Sequence, residues 1–287
     1  MGSLKALWKL TRFEHALMFS AVVLIGLALA AERVPPLTQP IILALLAPML
    51  AEVGIFALND YLDIKTDKAN KRTDRPLATG EISPGIAVAL SAIGIIGALV
   101  SVYLISMPAF EFALFIAAIS VLYNFKLKDL PLVGNMIVGF SMAAPLLFGS
   151  IVFFNSFFFS RLILILSAIA FIAGTAREIV KSIQDMEGDA KARKSKTLPI
   201  IIGAKNSALI AALLYITAIV LTPVLYAYGL KQTIPGIALI TAADLIFLFL
   251  VLMILKSQDK STLKVARKYS LLAFGLAILG VLLSVIF

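Results

Sequence analysis

Apolar residues in this chain fall in long, nearly uninterrupted runs, with polar residues gathered into the gaps between them. Nine such runs stand out, at approximately 14–31, 38–58, 84–106, 108–123, 132–152, 161–180, 206–227, 233–255 and 266–287. A hydrocarbon core of about 30 Å takes about 20 residues of helix to cross. None of the runs alternates as a transmembrane barrel strand would, and a helix closes its own backbone hydrogen bonds. The expected fold class is therefore all-α, a polytopic membrane protein with nine transmembrane helices. Only Met107-Pro108 separates the third run from the fourth, which predicts a tight hairpin there. No Pro/Gly/Ser-rich linker or low-complexity tract divides the sequence, so residues 1–287 are expected to form one intramembrane domain.

Composition narrows the chemistry. The chain is 61% hydrophobic, with a mean hydropathy of +1.03, against about 45–50% apolar content in a soluble domain. Cysteine is absent, which excludes disulfides, thiolate metal sites and thiol nucleophiles, and the only histidine, His15, cannot make a multi-His site alone. Hard-metal chemistry on oxygen ligands is what remains. The net charge of +9 does not point to nucleic acid, because no soluble domain is left to carry a basic groove. Membrane topology accounts for it instead. With the N-terminus in the cytoplasm, 22 of the 25 Lys and Arg fall on the cytoplasmic side, leaving Arg33, Arg161 and Lys231 outside. This is the positive-inside pattern, and it predicts an outside C-terminus. No cleavable signal peptide is expected, since Glu32-Arg33 and further apolar segments directly follow the first run.

The two longest polar segments, 59–83 and 181–205, share the predicted cytoplasmic side and carry the candidate chemistry. The first opens N-D-x-x-D-x-x-x-D. Asn59, Asp63 and Asp67 are four apart and line one helical face, so two carboxylates and an amide oxygen converge and a cation would relieve their repulsion. Glu52 lies on the same face but deeper, where an ionisable group is costly and by default a functional suspect. In the second cluster Glu178, Lys181, Asp185 and Asp189 share a face by the same spacing. Magnesium prefers a few carboxylates completed by water and phosphate oxygens, so two opposed Asp faces suit a magnesium-bridged diphosphate. Lys65, Lys68, Arg72, Arg75, Lys181 and Arg193 lie close enough in sequence to hold residual phosphate charge.

A single run of Asp and Lys at a helix exit is usually a solvated loop. Two on one membrane face make that reading the weaker one. Lone residues carry less: Asp244 and Glu111 fit packing or interface roles as well as a site, and Phe154, Phe157, Phe158 and Phe159 read as an outer aromatic belt. His15 is an interfacial or locally bonded residue first and an acceptor-side candidate second.

Three stretches resemble the UbiA family of intramembrane prenyltransferases. They are N-D-Y-L-D-I-K-T-D-K-A-N-K-R-T-D-R-P-L-A-T-G from Asn59 to Gly80, Y-N-F-K-L-K from Tyr123 to Lys128, and R-E-I-V-K-S-I-Q-D-M-E-G-D from Arg177 to Asp189, with T-L-P at Thr197 to Pro199. The resemblance implies Mg2+ held by Asn59, Asp63, Asp67, Asp185 and Asp189, clamping a prenyl diphosphate. It implies Arg72, Arg75, Lys126, Lys128 and Lys181 as phosphate-side cations, and Glu52, Asp60, His15, Tyr123, Asn124 and Glu178 as acceptor-side or supporting residues. The implied partners are the prenyl diphosphate, a lipid or aromatic acceptor and membrane lipid.

Two clues point to different acceptors. The G-N-M-I-V-G stretch at Gly134 and the second acidic string resemble the branch that makes digeranylgeranylglyceryl phosphate, an ether lipid. R-F-E-H from Arg12 to His15 is more similar to the branch that prenylates 4-hydroxybenzoate-like rings in quinone biosynthesis. The expectation leans to the lipid acceptor. A cation-coupled transporter is the remote alternative, disfavoured because both clusters sit at helix ends rather than at midplane.

Overall fold

The computed structural model describes residues 2–69, 72–193 and 196–287, and the side chains of residues 2, 3, 69 and 191–193 are likewise outside the description, Arg193 among them. In chain order the helices are α1 (Gly2–Thr11), α2 (Phe13–Ala31), α3 (Gln39–Leu62), α4 (Ile64–Ala69), α5 (Pro76–Thr79), α6 (Pro84–Tyr103), α7 (Met107–Phe125), α8 (Val133–Phe154), α9 (Arg161–Arg193), α10 (Leu198–Ala227), α11 (Ile234–Lys256) and α12 (Lys260–Ile286). A 3-10 turn, Leu127–Asp129, joins α7 to α8. Among the described residues nine helices are long and apolar enough to cross a membrane, as the apolar runs predict. Large side chains such as Ile93, Val220, Leu245 and Leu252 face outward, as a bundle solvated by lipid requires.

Several helices start on a proline in their first turn, among them Pro40, Pro84, Pro108, Pro199 and Pro235, where the missing N–H has no helical partner to lose. At the polar end three helices outrun their apolar segments. α9 continues through the second acidic cluster to Arg193. α10 begins at Leu198 rather than near 206 and bends at Gly203, whose φ of 85° only glycine adopts readily. α12 begins at Lys260 rather than near 266, because the Asp259 side chain accepts from the Ser261 and Thr262 N–H groups and caps it. These turns are helical but polar, so hydropathy alone does not reveal them.

Packing brings α3 against α6, α8 against both α2 and α9, α9 against α10, and α11 against α12. Helices α2 and α8 cross at backbone contact. A Cβ on Gly149 would lie 2.6 Å from Leu27 N and Val23 O, so the crossing depends on a small residue, as intramembrane interfaces commonly do. The aromatic belt is partly as expected. Phe154, Phe157 and Phe158 are exposed, but Phe159 turns inward onto the cluster built around Val23, Leu27 and Phe148, where the Ser150 hydroxyl donates to the Phe158 carbonyl and draws that connection over α8.

Candidate functional site

Both acidic clusters open onto one polar cavity of about 1180 Å³ at the basic end of the bundle. Asn59, Asp63 and Asp67 line it from the α3–α4 segment, and Glu178, Lys181, Asp185 and Asp189 line it from α9. The first segment is not a continuous helix: α3 stops at Leu62, Asp63 caps it, and α4 resumes at Ile64. The four-residue spacing survives the break, because Asp63 N–H donates to Asn59 O at 3.0 Å and Asp67 N–H to Asp63 O at 2.8 Å. Asn59 is oriented from behind. Its Nδ2 donates to Asn124 Oδ1 at 2.7 Å, and buried Asn124 is itself tied to Ser120 O, which leaves the Asn59 amide oxygen as the group for a cation.

The cations around the cavity are held largely by carboxylates. Lys128 Nζ lies 2.7 Å from Asp63 Oδ1, and Lys181 Nζ lies 2.6 Å from Glu178 Oε1. Arg72 forms a two-pronged pair with Asp74, Nε to Oδ1 and Nη2 to Oδ2, both at 2.8 Å. The Arg72 hydrogen bonds hold the Asp74 carboxyl below its usual range, and the Asp74 hydrogen bond in turn raises Arg72, with Asp67 and Asp185 adding to it. Among the described residues no three His, Asp or Glu side chains converge as a closed metal cage does. Carboxylates short of a cage fit Mg2+, which keeps waters and substrate oxygens in its shell.

Asp60 points away from the cavity. It is 1% exposed, and one of its oxygens accepts from Arg12 at 2.9 Å and from Arg75 at 2.7 Å. Arg12 also lies over the Phe56 ring, 4.1 Å from its centroid. Asp60 thus braces the N-terminal α1–α2 junction against the segment that carries Arg75, which does line the cavity.

Of the other predicted residues, Tyr123 and Glu178 line the cavity. Lys126 does not: α7 ends at Phe125, Lys126 caps it in an exposed position, and the 3-10 turn then swings Lys128 inward. His15 packs edge-on against Phe56, 5.9 Å between centroids, and lies off the cavity lining. Glu52 lines a different space, an apolar compartment of about 760 Å³ between α2, α3, α6, α7 and α8. A second apolar compartment, of about 1000 Å³, lies between α2 and α8–α12, and there Asp244 accepts from the Thr222 hydroxyl at 3.2 Å. Phe19 and Pro145 border both.

Sequence reasoning missed Thr66, Asp129, Thr197, Lys260 and Arg267, all on the cavity lining. Arg267 reads as a topological charge at the start of the last apolar run, and Lys260 lies before that run altogether. The signal available was their seven-residue spacing, which puts both on one helical face.

The UbiA prenyltransferase family profile matches residues 19–274. The digeranylgeranylglyceryl phosphate synthase of Archaeoglobus fulgidus is 36% identical over 96% of this chain and 94% of its own. That of Thermococcus kodakarensis is 33% identical over 98% of each. A solved digeranylgeranylglyceryl phosphate synthase structure superposes with a TM-score of 0.76 at 28% identity, covering 100% of this chain and 99% of that one. A UbiA homologue from Archaeoglobus fulgidus, solved with GPP and Mg2+, shares the fold at a TM-score of 0.63 and 17% identity, over 96% and 99% of the two chains.

Proposed function

The chain belongs to the UbiA prenyltransferase family, and from that premise we propose that it transfers a geranylgeranyl group from its diphosphate to geranylgeranylglyceryl phosphate, with Mg2+ as cofactor. The observation that carries this reading is the single polar cavity shared by both acidic walls, together with relatives of near-equal length that bear that synthase name. The apolar linings of the compartments nearby suit isoprenoid chains.

Asn59, Asp63, Asp67, Asp185 and Asp189 would hold Mg2+, which when bound neutralises charge on the diphosphate. Arg72, Arg75, Lys128 and Lys181 bind and orient the diphosphate oxygens, each already fixed by a carboxylate in position. The allylic C1–O bond breaks with its electron pair leaving on the diphosphate, where these cations stabilise the growing charge. The acceptor hydroxyl oxygen forms the new bond to C1 and releases its proton into the polar cavity. The reaction is assigned to the cytoplasmic face of the cell membrane, with the C-terminus outside, by the distribution of Lys and Arg.

The lipid acceptor is preferred to the aromatic one because relatives of near-equal length bear the digeranylgeranylglyceryl phosphate synthase name. The motif on which the aromatic reading rests, R-F-E-H, has Arg12 engaged by Asp60 and Phe56 and His15 packed off the cavity.

Purified protein given geranylgeranyl diphosphate and either geranylgeranylglyceryl phosphate or 4-hydroxybenzoate tests the acceptor. Product from the lipid alone is expected, and product from the aromatic alone overturns it. Asp63→Ala and Asp185→Ala should each cost at least about 100-fold in Mg2+-dependent diphosphate release while the protein still folds, with Asp63→Ala melting lower because Lys128 loses its partner. Full activity in both variants removes the mechanism.

A further inference from the structure

On the reading just given, the acceptor carries a phosphate monoester of its own, and we propose that Arg267, with Arg177 and Lys260, forms the subsite that binds it. The cavity's cations divide into two groups. Arg72, Arg75, Lys128 and Lys181 each rest on a carboxylate. Among the described residues Arg267 does not: its Nη1 donates to the neutral Gln184 amide oxygen at 2.8 Å, and its Nε is buried with no partner among them.

Arg177 stands behind the lining on α9. Among the described residues its Nε is also buried without a partner, it lies within electrostatic reach of Arg267, and the neighbouring Glu178 carboxylate is taken by Lys181. Arg267 lines the cavity without a carboxylate partner among the described residues, the Arg177 charge adds to the positive potential there, and an anion with several oxygens relieves it. A phosphate monoester presents such oxygens, and a guanidinium fork matches their geometry. Lys260 lines the cavity above, paired with Glu187 at its exposed rim.

The tail follows from the same two helices. On α9, Arg177 stands one turn from Lys181 on the polar side and one turn from Ala173, which lines the larger apolar compartment. On α12, Arg267 lines the polar cavity and Phe274, seven residues on, lines that apolar compartment. An amphiphile with a phosphate head and a long isoprenoid tail fits along this seam, its head across the cavity from Arg72, Arg75 and Lys128.

The test is steady-state transfer by the full chain in nanodiscs of uncharged lipid, with geranylgeranylglyceryl phosphate and its dephosphorylated counterpart as acceptors. Arg267→Ala should raise KM for the phosphorylated acceptor about tenfold or more, hold KM for geranylgeranyl diphosphate within about twofold, and erase the preference for the phosphorylated acceptor. Arg267→Lys should fall between. Gln184→Glu, which gives Arg267 a carboxylate of the protein's own, should raise the same acceptor KM without lowering the melting temperature. If Arg267→Ala does not fold, Gln184→Glu decides, and an unmoved acceptor KM in that variant overturns the subsite. So does a well-folded Arg267→Ala that leaves the acceptor KM unchanged or raises both KM values equally. Absence of wild-type transfer to the phosphorylated acceptor overturns the proposed function itself, whereas wild-type transfer with an indifferent Arg267→Ala overturns the subsite alone.

Discussion

Lys128 Nζ and Asp63 Oδ1 lie 2.7 Å apart across 65 positions of sequence, each little exposed, both on the wall of the polar cavity. The ammonium neutralises one member of a crowded acidic wall and keeps it folded inward. On the proposed function, with a cation and a diphosphate in the cavity, the same ammonium would exchange the carboxylate for a phosphate oxygen. Lys128→Met should therefore raise KM for the prenyl diphosphate about tenfold, the cost of one charge-assisted hydrogen bond. Steady-state kinetics at saturating acceptor reads this out. A change in acceptor KM alone would show that the lysine serves the other substrate.

Asp60 carries a structural prediction of a different kind. Removing a buried carboxylate that accepts from two guanidiniums leaves Arg12 without a carboxylate partner among the described residues and Arg75 with only its longer contacts to Asp67 and Asp74. Asp60→Ala should destabilise by about 3–5 kcal/mol, as loss of one member of a buried ion pair does. The accompanying loss of activity should be reproduced in part by Arg12→Ala, which touches the brace but not the cavity. Thermal unfolding of both variants in the same detergent checks the order; equal melting temperatures for Asp60→Ala and wild type would show that the brace is dispensable.

Hydropathy made the nine spans legible because each needs only a run of apolar residues, and the two acidic walls were legible because spacing fixes which side chains share a helical face. Asn59 and Asp63 kept that relationship even where the helix broke between Leu62 and Ile64. What spacing cannot give is which neighbour claims a charge. Asp60 sits beside Asn59 in sequence yet points at Arg12 and Arg75, and Lys126 and Lys128, two apart, are separated by a 3-10 turn into exposed and cavity-lining positions. Lys260 was hidden for a third reason. Its turn of α12 begins on the Asp259 cap, a polar signal outside any apolar run.

The Arg72–Asp74 pair gives a pH prediction whose sign is fixed by its direction. Asp74 is held below its usual range by its hydrogen bonds to Arg72. A depressed carboxylate contributes fully above its unfolded pKa, about 3.9, and that contribution is lost as pH falls through the lower folded value. The pair is therefore constant across neutral pH and opens only in acid. Asp74 is largely exposed, so the effect on stability is small and the readout is substrate binding. Asp74→Asn removes one prong of the support for Arg72 and should raise KM for the prenyl diphosphate by about threefold at pH 7. Wild type and variant should converge as pH drops below the carboxylate range; divergence there would assign the effect to another group.

The crossing of α2 and α8 ties the fold to the tail compartments and can be tested without touching the polar cavity. At Gly149 an added Cβ would meet Leu27 N and Val23 O, both at 2.6 Å. These are backbone atoms, so no side chain can rotate aside and the helices must separate. Gly149→Ala should destabilise by about 1–3 kcal/mol, in the range of other overpacking substitutions. Gly275→Ala on α12 is the control: an added Cβ there meets nothing within 4 Å, and the change should be neutral or stabilising by up to about 1 kcal/mol. Phe19 of α2 and Pro145 of α8 border both apolar compartments, so prising these helices apart changes the spaces proposed for the isoprenoid chains. Gly149→Ala should therefore shift the relative rates for prenyl diphosphates of different chain length, measured in competition, while Gly275→Ala leaves that ratio where it is in the wild type. A destabilised Gly149→Ala with an unaltered chain-length ratio would confine the crossing to a structural role and separate it from the binding of the tails.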